Sequence, residues 1–221
     1  MPKWCKTIIA VLLLPVCIGE AQALWKVLCA SGAADTIWVA MGAGAACWMV
    51  VYFMLPKPMW IYVLGHELTH AIWAWLFGGE VKKFKVTAAG GHVVVTKTNF
   101  VIALAPYFFP IYVVLIVAVF ALGNLVWGWK NYLVWFHLLV GAAYAFHVTL
   151  TWCVLQTRQS DITGQGWLFS AVIIFLGNAG VLLLGVPLLA AKVDLSTAIG
   201  WWFELTGDVW RHVGGAMAHF R

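Results

Sequence analysis

Long apolar runs, interrupted by short polar, glycine- or proline-containing junctions, make up most of the chain. About six of them are long enough to cross a ~30 Å hydrocarbon core at ~1.5 Å per residue. They are roughly residues 7–27, 36–55, 58–77, 99–122, 131–155 and 166–190. None alternates apolar with polar positions as a barrel strand does, and inside lipid a helix satisfies its own backbone, so each run predicts a helix. Lys3 and Lys6 ahead of the first run, with Ala21-Gln22-Ala23 behind it, have the features of a secretory leader. Apolar character resumes at once with Leu24 and Trp25, which favours a retained first helix.

Two stretches break the pattern. Residues 80–99, EVKKFKVTAAGGHVVVTKTN, set Phe84, Val86 and Thr87 before Ala-Ala-Gly-Gly, and Val93, Val94, Val95 and Thr96 after it. This predicts a β-hairpin turning at Gly90-Gly91, held at the aqueous interface by its lysines and joining the third helix to the fourth. In residues 194–221, Ile199, Trp202, Leu205, Val209, Val213 and Ala216 recur at helical spacing, opposite Glu204, Asp208, Arg211 and His212. That pattern suits an amphipathic helix lying on the bilayer better than a further span. The expected fold is therefore an all-α polytopic membrane protein: about six transmembrane helices in a single domain over residues 1–193, a small hairpin, and an interfacial C-terminal helix.

Composition excludes the soluble alternative. The 221-residue chain is 64% hydrophobic and 10% charged, whereas soluble domains carry about a quarter charged residues. The net charge of +5 is spread over short connections. It suits anionic lipid headgroups and gives no case for nucleic-acid binding. Lysines and arginines divide almost evenly between the two predicted sides, so no orientation follows. The odd, scattered cysteines (Cys5, Cys17, Cys29, Cys47, Cys153) form neither a disulfide framework nor a metal motif. Compact size and short helices lead to the expectation of a multi-pass protein of a bacterial inner membrane.

The third run carries the chemistry. YVLGHELTHAIWAWLFGG places His66, Glu67, Thr69 and His70 in an otherwise apolar helix. Histidines four apart share a helix face and can grip one metal ion, with Glu67 beside them as a carboxylate general base: the H-E-x-x-H zinc signature. Zinc lowers the pKa of a bound water to roughly neutral, and the carboxylate takes its proton as a carbonyl is attacked. Three ionisable groups without a shared task are expensive in lipid, which disfavours a plain polar cluster. Residues 65–70 precede Phe77 by a span of ~10–18 Å at helical rise, placing the site inside the bilayer near one face.

These residues, followed by Gly78-Gly79, the glycine hairpin and the run ALAPYFFP, resemble the site-2 protease family of intramembrane zinc metalloproteases over roughly residues 58–170. The resemblance implies a zinc cofactor, His66 and His70 as ligands, and Glu67 as the catalytic base. It also implies an aspartate ligand from a Leu-Asp-Gly motif near a helix end. The nearest match is RQSDITGQG, which offers Asp161, although serine replaces the leucine and the glycine falls two residues late. Ser160 or Asp161 serves equally as an N-cap for the helix that follows. His147 is the rival ligand: it lies at a similar depth, in a polar stripe with Tyr144 and Thr151. Such a stripe also fits an inter-helix hydrogen-bonded contact, a hydrogen-bond partner of a ligand, or a transition-state donor. His137 and His92 have weaker claims.

The expected function is zinc-dependent hydrolysis of a peptide bond within or near the bilayer, in a membrane-protein or peptide substrate. An exposed hairpin strand would hold that substrate extended by strand addition; a simple interfacial connector is the other reading of the hairpin. Pro106 and Pro110 either open the site to water or only kink their helix. The alternative function is a non-catalytic membrane protein that uses the same fold for binding or chaperoning. A metal carrier would need several ionisable spans to form a transport path, which the chain lacks.

Overall fold

A computed structural model describes residues 2–87, 90–190 and 192–219, with side chains described up to residue 216. Helices dominate: α1 (Lys3–Ala30), α2 (Asp35–Met54), α3 (Met59–Leu76), α4 (Phe100–Leu104), α5 (Ile111–Trp127), α6 (Leu133–Leu155), α7 (Ser160–Gln165), α8 (Trp167–Ala190) and α9 (Leu195–His219). The hairpin is formed by β1 (Val81–Thr87) and β2 (Gly90–Val95). Proline and glycine punctuate these elements. Pro56 and Pro58 separate α2 from α3, and α3 ends at Phe77 before Gly78, whose φ of 70° turns the chain back towards β1.

Four segments are long and apolar enough to cross a membrane: α1, α2, the stretch Trp129–Leu155, and α8. A fifth is reached only if the bent pair of 100–107 and α5 counts as one span. Six spans are thus not confirmed among the described residues, for two physical reasons. His66, Glu67 and His70 lower the mean hydropathy of α3, which is only 18 residues long. The expected fourth span is broken: Asn99 caps α4, a 3₁₀ turn follows at Ala105–Tyr107, and α5 leaves at 80° to that segment. Pro106 lies inside the turn and Pro110 immediately precedes α5. Each removes a backbone donor, so the helix ends here outright and is more than kinked. Large apolar side chains such as Met54 (80% exposed) and Leu125 (82% exposed) cover the outer surface. Such faces fit a hydrocarbon solvent, and the protein has the character of a multi-pass membrane protein.

The chain forms two compact units. One comprises residues 1–34 and 162–221. In it α1 packs on α8 and α9, with Ala10, Phe169 and Val172 at its core. Here α9 crosses α1 where Thr206 abuts Gly19, and the Lys26 ammonium lies 4.4 Å from the centre of the Trp201 ring.

The other unit, residues 35–161, holds the candidate site. Its largest helix contact is α2 on α6. Gly44 meets the backbone of Leu138 there, and Gly141 meets that of Met41, so closely that a side chain at either would collide. Small residues draw helices together in this way where no hydrophobic force acts between them. The hairpin packs on α3. Its antiparallel register pairs Lys85 with His92, Val86 with Gly91 and Thr87 with Gly90. The hairpin therefore forms as expected, but Gly90 and Gly91 belong to β2 and not to its turn; residues 88 and 89, between the strands, lie outside the described residues. Gly91 serves another purpose. A Cβ there would come within 2.8 Å of Glu67 Cγ and 2.8 Å of the Lys85 carbonyl, so only glycine lets β2 run this close to α3.

Candidate metal centre

The α3 helix presents His66 and His70 one turn apart, with their ring centres 5.0 Å apart. The helix is locked around them: Thr69 Oγ1 donates to the Gly65 carbonyl at 2.8 Å, and the Tyr112 hydroxyl donates to the Ile61 carbonyl. His70 is oriented by α4, because its Nδ1 lies 2.7 Å from the Ile102 carbonyl oxygen. A carbonyl only accepts, so Nδ1 carries the proton and the Nε2 lone pair is free to ligate. The Asn99 cap, which fixes the first turn of α4 through the Ile102 N–H at 2.8 Å, thereby fixes this ring as well.

Asp161, in the first turn of α7, brings its carboxylate to both rings. Its Oδ2 lies 3.7 Å from His66 Nε2 and 3.5 Å from His70 Nε2. The Tyr107 hydroxyl donates to the same oxygen at 3.0 Å, and its ring stands edge-on to His66. Burial alone would raise the Asp161 carboxyl, but the His66 and His70 rings that face it outweigh burial and hold the group well below the usual carboxylate range. The acid is an anion at any neutral pH, as a ligand must be.

One donor atom from each of His66, His70 and Asp161 lies within 4.8 Å of the others. A tetrahedral zinc with bonds of ~2.0–2.1 Å separates its donors by roughly 3.3 Å. The two carboxylate–imidazole distances, 3.7 and 3.5 Å, are within a few tenths of an ångström of that, and two imidazoles with one carboxylate are a known donor chemistry for catalytic zinc. The residues fit the metal.

Glu67 follows His66 and is buried, 7% exposed. It opens with the histidines into a cavity of about 290 Å³, walled by Gly91, His92, Thr98, Gln159 and Ser160 among others. The four residues His66, Glu67, His70 and Asp161 thus come together in space. His147 does not join the donor group. It is buried on α6 and borders a separate, much smaller void that it shares with His66. Thr151, in the same stripe, accepts from the Tyr62 hydroxyl of α3 at 3.2 Å, a true inter-helix contact. His137 is buried on α6 away from the donor group, while His92 stands on β2 at the cavity wall, nearer the site than its place in the sequence suggests.

The sequence gives Tyr107 no role. The run ALAPYFFP draws notice for Pro106 and Pro110, yet the available signal is the phenol between them, a buried hydroxyl in an apolar run at a chain break. Comparison of the chain with family models, with curated proteins and with solved structures returns no match in any of the three. The case for a metal centre rests on the side chains themselves.

Proposed function

We propose that the protein is a zinc-dependent intramembrane endopeptidase, of the kind exemplified by the site-2 protease family. The observation that carries this reading is the convergence of His66, His70 and Asp161 beside a buried Glu67, on a helix within a chain of membrane-spanning character. His66 Nε2, His70 Nε2 and Asp161 Oδ2 would hold the metal. Zinc at this position supplies a Lewis acid that makes water nucleophilic at neutral pH and polarises a carbonyl. Glu67 takes the proton from the attacking water and delivers it to the departing amide nitrogen. Ile102 and Tyr107 keep the ligands aimed, through the hydrogen bonds to His70 and Asp161.

A transmembrane substrate must be unwound before its peptide bond is reachable. β2 pairs with a strand only along its β1 edge among the described residues, and at Gly91 it passes against Glu67. A substrate segment added as a strand beside β2 would lie extended over the cavity. A bacterial inner membrane as the setting belongs to the same proposal. A purely binding protein would have no use for a buried carboxylate one residue from a ligand.

Glu67→Gln is the discriminating variant. Because Glu67 is not among the three donors, the variant should keep its zinc and its fold. Cleavage of transmembrane-segment peptides in proteoliposomes should fall by about 10²–10⁴-fold, the usual share of a general base. Undiminished cleavage by the glutamine variant would remove proteolysis at this site from consideration.

A further inference from the structure

The two histidines of α3 are supported unequally. His70 Nδ1 has the Ile102 carbonyl, whereas His66 Nδ1 is fully buried and has no hydrogen-bond partner among the described residues. If Nε2 of His66 faces the metal, Nδ1 carries the proton, and a buried N–H donor without an acceptor is destabilising. On α6, His147 shows the complementary defect: its Nε2 is buried and also without a partner. Both rings line one void of about 10 Å³, bordered also by Tyr62, Thr69, Phe146 and neighbouring side chains. That is roughly the space one water needs, and a buried water also needs two or more polar partners. The void supplies them in the two imidazoles, and Thr69 Oγ1 keeps an acceptor lone pair because its proton is given to Gly65.

We infer that His147 is a positioning residue for His66, acting through a single buried water in this void. The water accepts from His66 Nδ1–H and donates to His147 Nε2, with its second proton available to Thr69 Oγ1. The relay fixes the His66 tautomer and ring plane as the Ile102 carbonyl fixes those of His70. Asp161 has its own outer partner in Tyr107. All three proposed ligands are then anchored by a group behind them, as is usual at metal sites. The inference rests on the metal-binding part of the proposed function and not on proteolysis.

Zinc affinity, measured by chelator competition on the full-length protein in detergent, tests it without recourse to activity. Wild type, His147→Leu, His147→Gln and His66→Ala are compared, with thermal unfolding of each metal-free form as the folding control. His147→Leu removes the acceptor and should weaken zinc binding by roughly 10–100-fold. His147→Gln places an amide oxygen near the former Nε2 and should recover most of that loss. A leucine variant that binds zinc like wild type overturns the inference alone, as does equal weakening in both variants, which would mark His147 as a packing residue. Wild type and His66→Ala both failing to bind zinc would overturn the metal reading itself, and the inference with it.

Discussion

A single oxygen, Asp161 Oδ2, faces three groups: His66 Nε2, His70 Nε2 and the Tyr107 hydroxyl, which donates to it. Metal would replace the two histidine contacts, while the tyrosine bond can persist and hold the carboxylate in place. Tyr107→Phe removes only that bond. Zinc affinity should fall by roughly 10–100-fold, and stability by about 1 kcal/mol, the net value of one hydrogen bond. Chelator competition beside thermal denaturation checks both, and an unchanged affinity would reduce Tyr107 to a packing role. At this scale the sequence is legible only where partners are close along the chain. His66, Glu67 and His70 are readable because helical geometry alone sets their relation. Asp161 and His147 compete as candidates in the sequence because their distance from α3 depends on how α6 and α7 return. Tyr107 is invisible because its partner, Asp161, arrives from the far side of α5 and α6.

Among the elements, the hairpin and the broken segment shape the cavity. Gly91 is a tight point of the cavity wall, with Glu67 and the Lys85 carbonyl both in the way of a side chain. Gly91→Val should push β2 off Glu67 without touching a proposed ligand. Overpacking of this kind destabilises by about 1–3 kcal/mol. Displacing a substrate by ~1 Å lowers turnover by roughly 10²-fold. Zinc content should stay at the wild-type value while cleavage falls, and loss of both together would mean that the hairpin supports the ligands directly. The sequence predicts the hairpin from β-branched residues around small ones, but it misplaces the turn. Glycine doublets suggest turns by local propensity, whereas here cross-strand register and contact with Glu67 determine where the glycines are needed. The two prolines correctly mark a disturbance after residue 99. Only the structure shows that it is an 80° break, which allows α4 to bring the Ile102 carbonyl to His70.

On the scale of the whole molecule, lipid-facing character and an ionisable site are in tension, and the proposed metal would reconcile them. His66, Glu67 and His70 take α3 below the hydropathy expected of a span, and such groups are not held in a membrane interior without a partner that offsets their desolvation. Every proposed ligand and the general base lie in the unit of residues 35–161, so the donor geometry is set within that unit. The most direct measurement is the zinc content of the full-length protein, purified without chelators from zinc-supplemented cells, beside that of His66→Ala and Asp161→Ala. About one zinc per wild-type chain is expected, with most of it lost in both variants while their helical content is unchanged. A wild-type protein free of metal, or variants that retain it fully, would contradict the assignment of these residues as a zinc site.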